Sequence, residues 1–241
     1  MSENLADRIN RLSKALEDTH VSAAWNAARE LAKIGPDAST AIPALENAAG
    51  ARDQTTALWA RFALAKVRGT TVDEIPYFVA ALSEKKRIWA GMAATALSGF
   101  GEEALPALPT LINELNSERV DDRWAAAWAI GAIGPKASSA AEGLLKTLDD
   151  ADEKVRWYAA WAIGRIGASG PKIAARLIQA LDDTDDDVRG YAAMALGNLR
   201  VDNRELLLKL EQLSSDENEA VSSAASAALE KIRETRGSQS V

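Results

Sequence analysis

The sequence predicts an all-α protein, a right-handed α-solenoid (an α-α superhelix) of about seven 33-residue repeats. Three registers carry that expectation. Leu31, Leu64, Leu97, Ile130, Ile163, Leu196 and Leu229 recur at one fixed spacing. Leu12, Leu45, Phe78, Leu111, Leu144, Leu177 and Leu210 recur at the same spacing, and Ala27, Ala60, Ala93, Ala126, Ala159, Ala192 and Ala225 never vary. A unit this short cannot bury a core by itself, so it must stack on copies of itself. The expected organisation is one domain over 1–235 and a disordered tail over 236–241.

Each unit reads as helix A, an acidic turn, helix B and a Gly or Gly-Pro turn. In the fifth unit, 135–148 places Ala141, Leu144, Leu145 and Leu148 at helical spacing, and 153–166 does the same with Val155, Ala159, Ala162, Ile163 and Ile166. Asp152 is the expected N-cap of helix B, with Glu153 in its first turn. Gly167 falls just past the last apolar position, where a left-handed C-cap requires glycine. Pro43, Pro76 and Pro109 share a register near the start of helix A, where a missing N–H costs little. No stretch alternates as a strand does.

Composition narrows the function. Apolar residues make up 47%, enough for a substantial core. There is no cysteine, which removes disulfides and thiolate chemistry. No apolar stretch approaches a membrane span, and 1–10 carries no signal-peptide pattern, so a cytoplasmic setting is expected. The net charge of −7 opposes binding to a phosphate backbone. His20 is the one histidine and falls at an N-cap register, so a His-based triad has no members to build from. No catalytic residue, cofactor or metal is expected; the run Asp182–Asp187 lacks the spacing of a calcium loop.

Six of the seven tryptophans are candidate binding residues. At roughly 100° per residue from Val155, the core stripe of helix B stays within about 80°. Trp157, Trp161 and Arg165 fall near roughly 200°, 240° and 280°, and Tyr158 near 300°, on the far side of the helix. The same outward registers hold Trp25, Trp59, Phe62, Trp124, Trp128, Tyr191 and Met194. Tyr158 and Trp59, at the flank of the stripe, are the ones expected to pack partly on the next helix B. Trp89 alone sits in a core register. Because helix B is alanine-rich inside, neighbouring B helices should approach closely and the stack should curve toward them. Asp121, Asp122, Glu153, Asp186 and Asp187 are expected to form an acidic rim beside this aromatic floor, a pairing that suits a cationic partner.

The strings over 152–167 and 187–197, which follow the pattern V-R-x-x-A-A-x-A-L-G-x-I-G, resemble HEAT-like repeats of the phycobilisome-lyase type, a pattern shared with designed alpha-repeat binding scaffolds. The resemblance implies that helix B lines a concave face whose variable positions bind, and that Arg123, Arg156 and Arg189 are structural, each bonding an acidic residue of a neighbouring turn. The expected function is a non-enzymatic scaffold that holds a protein or peptide segment, one with basic residues, in a Trp/Tyr groove. Two alternatives come with the resemblance. A bilin lyase would use the same groove for a tetrapyrrole. A HEAT-like DNA glycosylase would need a Trp-rich cleft with an Asp, against which the net charge and the uniform units stand. The sequence does not specify an oligomeric state.

Overall fold

The computed structural model of the chain describes residues 3–18, 20–83 and 89–238, and the side chains of these except at 83, 89, 90 and 235–238. Trp89 and its expected core role therefore lie outside the described side chains. Every regular element among the described residues is helical. The chain divides into two compact units, 1–107 and 108–241.

The first unit contains α1 (Leu5–Ala15), α2 (Val21–Ile34), α3 (Ile42–Ala49), α4 (Gln54–Arg68), α5 (Thr71–Ser83) and α6 (Trp89–Phe100). The second contains α7 (Leu108–Glu114), α8 (Val120–Ile133), α9 (Ala141–Thr147), α10 (Glu153–Ile166), α11 (Pro171–Ala180), α12 (Asp186–Asn198), α13 (Arg204–Leu213) and α14 (Glu219–Ser238). Odd-numbered helices are the A helices and even-numbered ones the B helices. In the second unit α8, α10, α12 and α14 pack side by side in that order, each against its own A helix. The expected tail begins inside α14, which runs to Ser238.

Helix A differs from its expected form. The segment 135–148 is not one helix but a 3-10 turn, Gly134–Ala140, followed by α9. Ala137 (φ −90°, ψ 17°) breaks the helical path, and Ala38 (φ −85°, ψ 18°) does the same before α3. Ala137 and Ala140 are fully buried, so the turn tucks small side chains inward where a straight helix would carry them past the core. The third repeat has no Gly-Pro pair before its helix A. There α5 runs through, and Pro76 lies inside it rather than at its start.

The core follows the registers. Ile130, Leu144, Val155, Ala159, Ile163, Leu177, Val188 and Leu196 are fully buried. Gly167 takes the left-handed conformation (φ 66°, ψ 20°) as the C-cap of α10. One repeat later Arg200 holds the corresponding position at φ 51°, the one non-glycine described there with positive φ.

Close approach of the B helices depends on a second glycine register. A Cβ at Gly164 of α10 would lie 2.9 Å from the Ala195 Cα of α12, and one at Gly197 would lie 2.7 Å from the Ala228 Cα of α14. Backbone meets backbone at these points, and a methyl group has no room.

Candidate functional site

The turns between A and B helices in the second unit are held by a repeated clamp. Asp152 and Asp185 cap α10 and α12, accepting from the Val155 N–H at 3.2 Å and the Val188 N–H at 3.0 Å. Arg123 donates to both oxygens of Asp150, at 2.6 and 2.8 Å, and to the Ser117 and Glu118 carbonyls of its own turn. Arg156 repeats this with Asp183, at 2.8 Å for each bond, and with the Asp150 and Ala151 carbonyls. Arg189 reaches Asp216 at 3.3 and 3.4 Å. Each arginine thus fixes the turn before its own helix to the turn of the next repeat, as the family resemblance implied. Burial alone would raise the Asp183 carboxyl. The Arg156 guanidinium, the Asp185 N–H and the charge of Arg189 outweigh it and hold Asp183 below the usual carboxylate range. Asp150 is lowered by the same balance, with Arg123 as its partner.

With the B helices fixed in this way, their outward aromatic side chains stack. Trp124 and Tyr158 lie 5.4 Å apart at 21°, Tyr158 and Trp157 3.6 Å apart at 26°, and Trp157 and Tyr191 4.9 Å apart at 16°. Trp128 flanks this run, 6.4 Å from Trp124, and Trp161 meets Tyr158 edge-on at 6.5 Å. All six rings are half-buried, and Tyr158 and Trp157 each stack on two neighbouring rings. Trp161 is seated on Gly131 of α8, where a Cβ would come within 2.3 Å of its ring. Burial pushes the Tyr158 hydroxyl above its ordinary pKa, and Tyr191 adds to the shift, so Tyr158 stacks in neutral form at physiological pH.

Met194 is 44% exposed. Arg165 is exposed, 5.9 Å from the centre of Trp161. Asp121 accepts from the Trp124 indole N–H at 3.2 Å and fixes that ring. Glu153, Asp186 and Asp187 are exposed as expected of a rim. Asp122 is not a rim residue. It is 6% exposed, in the core register that Val155, Val188 and Val221 occupy in later repeats. Its Oδ2 accepts from Ser117 at 2.9 Å, while its Oδ1 has no hydrogen-bond partner. Burial, and next the charge of Asp122, raise the Glu114 carboxyl above its usual value, against the pull of Arg119.

Trp25 and Trp59 belong to the first unit, where they stack at 6.5 Å with Arg29 beside both. Trp59 is only 6% exposed and continues through Phe62 to Phe100 and Phe78. It is therefore a packing residue and not an open anchor, since its flank position turns it into the neighbouring helices.

Sequence reasoning missed Lys154, whose Nζ lies 3.6 Å over the Trp124 ring. The signal was present: Lys154 lies in the first turn of α10, the next B helix after that of Trp124, one turn ahead of Tyr158. Among the described residues no group of three or more His, Cys, Asp or Glu side chains is placed to hold a metal, and no helix is long and apolar enough to cross a membrane.

Stacked A–B helix pairs with an outward-facing aromatic register on the B helices define an α-solenoid repeat protein. Its second unit is matched by the HEAT-repeat family model over 108–186 and 173–241, and the chain belongs to that family. No curated protein matches the sequence. Among solved structures, an engineered protein is similar at 22% identity and a TM-score of 0.59, over 94% of this chain and 98% of the other. The CpcE–CpcF complex of phycocyanin lyase from Nostoc sp. PCC7120 is similar at 22% and 0.58, over 97% and 89%. A computationally designed armadillo repeat protein for modular peptide recognition is similar at 22% and 0.54, over 93% and 99%. At these identities the likeness is one of fold.

Proposed function

We propose that this HEAT-repeat chain is a non-enzymatic scaffold that holds an extended protein or peptide segment against the aromatic ladder of its second unit. The observation that carries the reading is the run Trp124–Tyr158–Trp157–Tyr191, ordered by stacking and only half-buried. Rings already fixed lose little entropy on binding, and Trp and Tyr are the side chains that most often anchor a partner. The exposed Glu153, Asp186 and Asp187 beside them favour a segment with basic residues. The reading includes a single array over 1–235, since the 33-residue register crosses the boundary at 107 without insertion, and a cytoplasmic setting. A fold shared with a protein designed for peptide recognition is compatible with this use.

The test is selection of a displayed random dodecapeptide library on the wild-type chain, with each recovered peptide re-measured against Trp124→Ala and Trp157→Ala. The expected result is peptides that lose roughly 30-fold or more in affinity on either change, as for anchor residues. Recovery only of peptides indifferent to both changes would overturn the reading. Incubation with biliverdin separates the tetrapyrrole alternative: a Trp157-dependent visible absorbance would replace the peptide by a pigment.

A further inference from the structure

The indole register of the ladder ends at Gly190. Trp157 and Trp124 stand one and two repeats earlier in the same register, and Tyr191 and Met194 continue the two neighbouring registers on α12. A Cβ at Gly190 meets nothing within 4 Å. Where the sister repeats carry an indole there is a notch of about 150 Å³ between α12 and α14, lined by Gly190, Tyr191, Met194, Ala220 and Ala224 together with Asp186 and Asp187. That volume lies below the roughly 300 Å³ where small-molecule pockets begin, and it suits one side chain.

The two carboxylates differ. Asp186 accepts from Arg189 and, at 2.7 Å, from Asn218, so both its oxygens are engaged. Asp187 is exposed and has no hydrogen-bond or ion-pair partner among the described residues. One repeat earlier its register is held by Lys154, whose ammonium lies against the ladder at Trp124. At that step the chain supplies its own cation; at Asp187 it supplies a carboxylate and an open place.

We infer that the Gly190 notch is the anchor for a single lysine or arginine side chain of the bound segment, its stem lying on Tyr191 and Met194 and its charge meeting Asp187. This rests on the ladder reading above. A long cationic side chain fits because its methylenes cover apolar wall while its head reaches the carboxylate. A neutral aromatic side chain would fill the wall and leave Asp187 unused.

The test uses the ladder-dependent peptides recovered from the same library. The expected result is one Lys or Arg at a fixed place relative to their apolar residues. Replacing it by norleucine should weaken binding to the wild type about tenfold or more, the value of a charged hydrogen bond. The same replacement should have no effect on binding to Asp187→Asn, and Gly190→Trp, which fills the notch with the residue of the sister repeats, should lower affinity for the parent peptide equally. Ladder-dependent peptides with no fixed basic residue would overturn the notch and leave the ladder standing. A basic residue whose removal costs the same in wild type and Asp187→Asn would place its partner elsewhere and also overturn it. Failure to recover any ladder-dependent peptide defeats both proposals together.

Discussion

The two units use the same repeat differently. In the first, part of the aromatic set enters the core: Phe78 is fully buried and Phe100 and Trp59 are 5% and 6% exposed, while Trp25, Phe62 and Tyr77 stay half-buried. In the second the core is Val, Ile, Leu and Ala, and every described tryptophan stays half-open on the B helices. The clamps differ in parallel. The register of Arg123, Arg156 and Arg189 holds Ala24, Ala57 and Ala90 in the first unit, which therefore lacks the arginine ladder. The family model matches only from 108 onward, where clamp and glycine registers are regular. Spacing between repeats set by Arg–Asp pairs and close-packed glycines needs no large side chain inside. Large aromatic groups are then free to face outward.

The strongest way to break this contrast is to remove a clamp. Arg156→Met leaves Asp183 without its bidentate partner and is expected to destabilise the second unit by about 3 kcal/mol in urea unfolding. Arg156→Met with Asp183→Leu should recover most of that loss; if it does not, the clamp is not the cause. The clamp also sets an acid limit. Because Asp150 and Asp183 are held below their unfolded values, their contribution is present above the ordinary carboxylate pKa, near 4, and is lost as pH falls through the lowered folded values. The Arg156→Met chain should show a flatter fall between about pH 4 and pH 2. Glu114, raised in the fold, acts in the opposite sense: its contribution is present at low pH and lost as pH rises through its folded value, so Glu114→Gln should remove that decline.

Glycine substitutions sharpen the comparison at smaller scale. Gly164→Ala forces a methyl against the Ala195 backbone and should cost about 2 kcal/mol. Gly190→Ala, in open space on the next B helix, should instead gain about 0.5–1 kcal/mol from helix propensity. Equal effects at the two sites would refute close helix approach as the role of the register. Asp122→Val restores the residue of the sister repeats and removes an unpartnered buried oxygen; a gain of about 1–2 kcal/mol is expected. The smallest effect is at Arg200, where φ is 51°: Arg200→Gly should gain about 0.5–1 kcal/mol if relief of the left-handed strain outweighs the lost side chain.

Repeat length, A–B pairing, core registers and the left-handed glycine were all legible in the sequence, because identical residues at a fixed spacing leave one way to stack. Outward phase was legible too, since helical angle alone places Trp157 and Trp161 opposite Val155. Burial of Asp122 was masked by its company: it reads as one of a pair of turn acids, although its register is that of Val155. Trp59 shows the limit of phase, because a flank position is open or closed according to the size of the neighbouring residues, here Trp25 and Phe62. The 3-10 corners before α3 and α9 were hidden because alanine satisfies a helix and a tight turn equally well. The notch was invisible as a site, since a single Gly190 in a helix signals nothing until the two preceding indoles are aligned with it.

The most direct measurement is 19F NMR of the 5-fluorotryptophan-labelled chain, each resonance assigned by a Trp→Phe substitution. Positions 124, 128, 157 and 161 should show a solvent isotope shift between H2O and D2O in the free protein, Trp59 should show none, and a selected peptide should suppress the shift at the first four. Four indoles already insensitive to solvent before any peptide is added would contradict the account.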